Sequence, residues 1–141
     1  MTKVDDSAHP SPPPYGLKRT LSIAFEEADQ RVREALKEEG FGVLTEIDVR
    51  ETLRKKLDVE HRPYRILGAC NPPLAHQALS SEIDVGLLLP CNVVVYEGDT
   101  PGTSVVAVLD PVPQLAVAGN DTLDGLAKDV RARMQRVLAA L

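Results

Sequence analysis

The C-terminal segment constrains the fold most. Leu123, Leu126, Ala127, Val130, Met134, Val137, Leu138 and Leu141 recur at helical spacing and make one apolar stripe. A helix with such a stripe has to bury it against another layer. A second long helix is predicted from about Phe25 to Glu39. Phe25, Ala28, Val32, Ala35 and Leu36 fall on one face, with Glu26, Glu27, Arg31, Arg33, Glu34, Lys37 and Glu38 available to the other. Gly40 is placed as its left-handed stop, with Phe41 folding back behind it.

The segments around these helices read as strands and turns. Leu17, Arg19, Leu21 and Ile23 alternate with polar residues and predict a first strand. Val43, Thr45, Ile47 and Val49 predict a second. Asp48 and Glu51 have capping-box spacing and open a short helix carrying Val49, Leu53 and Leu57. A polar loop over 58–63 leads to a third strand, Tyr64 to Ala69. Asn71 as N-cap and Pro72 as first helical residue predict a short helix to about Leu79. Val85 to Leu89 and Cys91 to Glu97 read as one long strand broken by Pro90, at an edge or a bulge. Residues 98–102 form a hairpin loop, and Thr103 to Leu109 returns as a strand. Asp110, Pro111, Val112 and Pro113 end that strand. Residues 114–122 connect to the last helix, with Asn120, Asp121 or Thr122 as its cap.

The order β-α-β-(α)-β-(α)-β-β-α is not that of a doubly wound parallel sheet. It predicts an α+β fold with a mostly antiparallel sheet and the two long helices on one face. The runs at 87–95 and 103–109 are apolar on both sides over part of their length. A second covering surface is therefore expected, from the short helices or from another copy of the chain. Residues 1–14, with four prolines, read as a disordered tail, and 15–141 as a single domain.

Charge and composition narrow the function. A net charge of −5 argues against DNA or RNA as the main partner. With two Phe, three Tyr and no Trp, a base-stacking platform is not expected. No apolar run approaches the roughly 20 residues that cross a bilayer. The N-terminus lacks the pattern of a secretory signal, so the expected location is the cytoplasm. Two cysteines there are read as free thiols.

Both cysteines lie at the ends or interruptions of apolar runs, and each is followed by asparagine: Cys70-Asn71 and Cys91-Asn92. His76, six residues after Cys70, is the one histidine outside the tail and the loop at His61. Thiols and imidazole are nucleophiles and soft ligands. Cys70 precedes a predicted helix N-terminus, whose dipole favours a thiolate. Cysteine also fills space in cores, and His76 can equally cover the sheet or face solvent. The spacing Cys-x5-His with a distant second Cys is not a zinc pattern. A fourth ligand has to come from Glu46, Asp48 or a partner chain, and copper or zinc is the ion to test. Glu46 and Asp48 share a strand face and form a candidate carboxylate pair, although Asp48 is already explained as a cap. No phosphate-binding glycine motif and no G-x-S-x-G is present.

Three phrases carry a family likeness: Glu39 to Asp48 (EGFGVLTEID), Ile66 to Pro72 (ILGACNP), and Leu88 to Val93 (LLPCNV). In this order they resemble the signature of the domain of unknown function 302 family, over about residues 15–141. The resemblance implies an α+β fold of the kind compared with the TATA-binding-protein saddle, small soluble prokaryotic proteins, and a tendency to homodimers. It does not imply DNA binding. Glu46, Asp48, Cys70, Asn71, Pro90, Cys91 and Asn92 occupy the signature positions.

Three functional readings follow. The first is a cytoplasmic homodimeric protein that binds a small ligand or metal around Cys70, His76 and Cys91, with Glu46, Asn71 and Asn92 nearby. The second is an enzyme of sulfur or redox chemistry using Cys70 as thiolate and His76 as base. The third is an interaction module in which the signature residues hold the fold.

Overall fold

The computed structural model describes residues 11–141. In chain order these are β1 (Gly16–Leu21), α1 (Phe25–Glu38), β2 (Gly42–Asp48), α2 (Val49–Leu57), β3 (Tyr64–Cys70), α3 (Pro72–Ser81), β4 (Cys91–Glu97), β5 (Ser104–Leu109), α4 (Pro111–Ala116) and α5 (Asp124–Ala139). Two 3-10 segments, Ile83–Leu88 and Asp121–Leu123, precede β4 and α5. The five strands form one sheet in the order β1-β5-β4-β3-β2, with every pairing antiparallel. The α+β architecture agrees with the sequence reading. Of the expected tail, residues 1–10 lie outside the described residues. Pro13 already packs at the start of β1, its carbonyl accepting from the Gly16 N–H at 3.0 Å.

Strand alternation decides which side chains meet the helices. Val93 lies opposite Val108 and Leu67, and Val95 opposite Val106. All five are buried, and they pack with Ala28, Val32 and Leu36 of α1 and Val130, Met134 and Val137 of α5. Each fully buried Val or Leu contributes about 1.5–3 kcal/mol. An exposed ion pair contributes about 0–1 kcal/mol, so this layer, rather than the charged rim, holds the fold. The residues facing away from the helices include Lys18, Ile66, Val94, Tyr96 and Ala107, and they are half-buried. On that face Tyr64 and Tyr96 stack with centroids 5.2 Å apart.

Local chemistry sets the element ends. Gly40 has φ 86°, the left-handed stop expected of it, and the Phe41 N–H returns to the Leu36 carbonyl at 2.9 Å. Asp48 caps α2 through the Glu51 N–H at 2.9 Å. Arg19 donates to the Leu138 carbonyl at 2.7 Å, placing a cation on the C-terminal end of α5.

Two expectations are corrected. Residues 85–89 are not strand. Val85 is 1% exposed while Leu87 is 89% exposed, which no period-2 alternation allows, and Ile83–Leu88 winds as a 3-10 segment. The Leu89–Pro90 peptide is cis, and the strand starts only at Cys91. The segment after Asp110 is also more than a stop. Asp110 accepts from the Val112 N–H at 3.0 Å and Pro111 opens α4.

The junction of β3 and α3 ties these parts together. Asn71 Oδ1 accepts from the Leu74 N–H at 3.4 Å, and its Nδ2 donates to the Glu39 carbonyl at 3.3 Å. Replacement Asn71→Ala is expected to cost about 1–2 kcal/mol, read as a lower urea midpoint. Asn71→Asp, which keeps the cap and loses the donor, is expected to fall between the two.

Candidate functional site

Where β3 and β4 end against α3, the sheet and helices leave a cavity of about 320 Å³. Its wall on the sheet side is Ala69, Cys70 and Cys91. Leu74, Ala75 and Ala78 of α3 form a second wall, and Leu115 of α4 with Leu126 and Val130 of α5 a third. Leu44 and Leu79, both exposed, stand at its rim. Thr45, Asn71 and Gln114 are its polar members apart from the thiols. Two of these are already engaged: Asn71 as the cap, and Gln114 through Nε2 to the Leu88 carbonyl.

Cys70 and Cys91 reach the cavity from the ends of two neighbouring strands. Cys91 begins β4 opposite Ala69, and Cys70 is the next residue of β3, where the chain turns into α3. Gly68 lets the strands close on this spot. A Cβ there would stand 2.1 Å from Thr45 Oγ1 and 2.9 Å from Pro90 Cγ. Both cysteines are free and half-buried, and neither sulfur has a hydrogen-bond partner among the described residues. Burial pushes the Cys91 thiol up from 9.0 to about 11, with the Cys70 thiol adding to the rise.

The expected convergence of an imidazole with the two sulfurs is corrected. Leu74 and Ala78 of α3 face inward, and His76 is about 200° round the helix from Leu74. It is exposed and takes no part in the cavity lining. The base expected for a Cys70 thiolate is therefore not beside it. Among the described residues, no three His, Cys, Asp or Glu side chains gather into a metal-holding group.

The other candidates also have places of their own. Glu46 stands outside the cavity lining and pairs with Arg33, whose guanidinium also holds Asp29 at 2.8 Å. Arg65 joins the cluster through Glu26 at 2.8 Å and Asp29 at 3.4 Å. Hydrogen bonding to Arg65 holds the Glu26 carboxyl below its usual range. With Glu46 paired and Asp48 capping α2, the expected carboxylate pair is taken up by this ion-pair cluster and a helix cap. Asn92 is exposed and faces the opposite side of the sheet, beside Lys18, Val94 and Tyr96. The apolar character of the cavity was missed by sequence reasoning. Its signal was present in the i, i+4 pair Leu74 and Ala78, but the wall from α4 and α5 depends on tertiary packing.

The raised Cys91 pKa has a signed consequence. The folded chain keeps this proton in a range where the unfolded chain has released it. The stability is therefore fully present below about pH 9 and lost as pH rises to about 11. Urea unfolding of the wild type is expected to weaken by about 2 kcal/mol more over that range than that of Cys91→Ala. Parallel pH curves would show that Cys91 is not the group responsible.

Comparison with known proteins gives the lineage. The family model described as "Domain of unknown function DUF302" matches residues 17–141. No curated protein matches the chain. Among solved structures, the chain is similar to one titled "Crystal structure of uncharacterized conserved protein DUF302 from Bacillus stearothermophilus". The two share 31% identity with a TM-score of 0.83, over 91% of this chain and 98% of the other. The match spans all three signature phrases and nearly every element of the sheet and its helices, and the chain belongs to the DUF302 family.

Proposed function

We propose that this protein binds a small, mainly apolar molecule in the cavity beside Cys70 and Cys91. One observation carries the reading: a concave space of about 320 Å³, near the lower end of small-molecule sites, walled by aliphatic side chains and holding two unpartnered thiols. Burial of the guest's surface supplies the affinity. The Thr45 hydroxyl and the two thiols supply the few polar contacts that orient it. Catalysis is not part of this reading, because the cavity lining holds no imidazole or carboxylate for proton transfer.

A neutral apolar fluorophore tests the cavity. Its emission is expected to rise on binding to the wild type. Ala75→Phe puts a ring into the cavity from a half-buried wall position. It is expected to weaken binding by about tenfold or more, about 1.4 kcal/mol. His76→Ala is expected to leave binding unchanged. Equal binding by the wild type and Ala75→Phe would place the fluorophore elsewhere and end the proposal.

A second observation favours a homodimer. The outer sheet face carries Ile66, Val94 and Ala107 between strands, with the stacked Tyr64 and Tyr96 beside them. An open antiparallel face is ordinarily polar at such positions. Covering this face with a second copy buries the strip on both chains, toward the roughly 800 Å² per partner of a standard interface. Light scattering is expected to give a dimer for the wild type and a monomer for Val94→Asp, with secondary structure retained. A monomeric wild type at micromolar concentration would refute the interface.

A further inference from the structure

The sheet face turned away from the long helices holds a second concavity, a groove of about 330 Å³. Strand register builds it. Ala107 of β5 is its floor, opposite Lys18 of β1 on one side and Val94 of β4 on the other. Tyr15 and Asn92 stand at one end, where Gly16 meets Leu109, and Tyr96 and Tyr64 stand at the other. The small side chain of Ala107 leaves the depth between the two ends.

The lining is aromatic and carries one sign of charge. All three tyrosines of the chain belong to it, in a sequence without tryptophan. Tyr64 and Tyr96 stack within 6° of parallel, which fixes the ring that Tyr96 offers to the groove. Burial pushes the Tyr64 phenol up, with Tyr96 and then Tyr15 adding to the rise, so the three rings are neighbours. Lys18 Nζ stands 5.9 Å from the Tyr96 ring centroid and has no carboxylate partner among the described residues. Arg62, 6.0 Å from the same centroid, is by contrast held by Asp99 at 2.8 Å. The lining contains no Asp or Glu, although the chain has a net charge of −5. Asn92 is exposed in a strand, where asparagine is disfavoured, and its amide makes no hydrogen bond among the described residues. A single cation over a ring is an ordinary surface contact. Here an unpaired lysine, an unengaged amide and aromatic walls at both ends surround one space of small-molecule size.

We infer that this groove binds a planar aromatic ring carrying one carboxylate. The ring lies on Ala107 and Val94, between Tyr15 and Tyr96, and its carboxylate accepts from Lys18 Nζ. The Asn92 amide supplies a polar edge at the Tyr15 end. Stacking favours a ring over a saturated ligand, and the lysine favours an acid over a neutral one. The site is separate from the cavity beside Cys70 and Cys91, which is walled by α3, α4 and α5 and has no charged side chain in its lining.

The test is calorimetric titration of the full chain with 2-naphthoate, followed in parallel by tyrosine emission. Every tyrosine lines the groove, so binding there is expected to change that emission. 2-Naphthamide, the same ring without the charge, is expected to bind about tenfold or more weakly. Cyclohexanecarboxylate, the same charge without the ring, is expected to bind about threefold to tenfold more weakly. Lys18→Gln is expected to lose about tenfold for the acid and nothing for the amide. Ala107→Leu raises the floor and is expected to remove binding of both. Ala75→Phe, which fills the other cavity, is expected to bind 2-naphthoate as the wild type does. Circular dichroism reports that each variant is folded. Absence of binding, equal binding of acid and amide, or full affinity in Lys18→Gln overturns the proposal. So does binding that Ala75→Phe abolishes and Ala107→Leu spares, which places the acid in the cavity. Val94 also belongs to the strip assigned above to a second copy, so the acid and that copy exclude each other. Saturating 2-naphthoate is expected to lower the mass seen by light scattering from dimer to monomer. A dimer that keeps its mass with the acid bound refutes the interface and leaves the groove standing.

Discussion

A single carboxamide sits where three parts of the chain have to agree. Asn71 starts α3, terminates β3 and donates to the last turn of α1 through the Glu39 carbonyl. Arg133 of α5 reaches the same carbonyl at 3.1 Å, so the junction extends to the second long helix. The fit is close: a Cβ at Gly40 would stand 2.9 Å from Asn71 Nδ2. Gly40 is thus needed twice, for its positive φ and for the space beside Asn71. Cys70, the preceding residue, takes its position from this junction. Stability and the placement of the thiol are set by the same few contacts.

The signature phrases owe most of their length to packing. The segment from Gly68 to Pro72 brings a strand end, a cap and a helix start into one corner, with Pro90 across from it. Such demands explain residue identities without invoking chemistry. They extend in part to the cysteines: Cys91 packs against the main core, and both residues also line the cavity. The charged cluster of Arg33, Asp29, Glu46, Arg65 and Glu26 lies apart on the helix-covered side and steadies α1 against β2 and β3.

The fold was legible where its signals are local. The stripe from Leu123 to Leu138, the stop at Gly40 and the caps at Asp48 and Asn71 are all set by residues within one or two turns. The 3-10 segment at 83–88 was not, because Val85 and, beside it, Leu88 are drawn into the packing of Leu115 and Leu123, which lie far along the chain. The start of α4 had its signal in Asp110-Pro111, which was read as a strand stop when it also opens a helix. At the site, the nearness of the two strand ends that carry Cys70 and Cys91 follows from strand register. The outward position of His76 follows from helical periodicity and was readable once Leu74 and Ala78 were recognised as the inner face. The Arg33 partner of Glu46 is 13 residues away and depends on how α1 crosses the sheet.

The sheet has two lateral edges, β1 and β2, and neither offers a clean template for another strand. On β2 the ladder shifts register between Val43 and Thr45, with Leu44 between them. On β1 the basic residues Lys18 and Arg19 occupy the middle of the strand. A bulge and a pair of charges are the devices by which proteins refuse edge-to-edge growth. The consequence is colloidal: strand addition into ribbons and fibrils, which needs a flat and regular edge, meets an interrupted ladder on one side and two positive charges on the other.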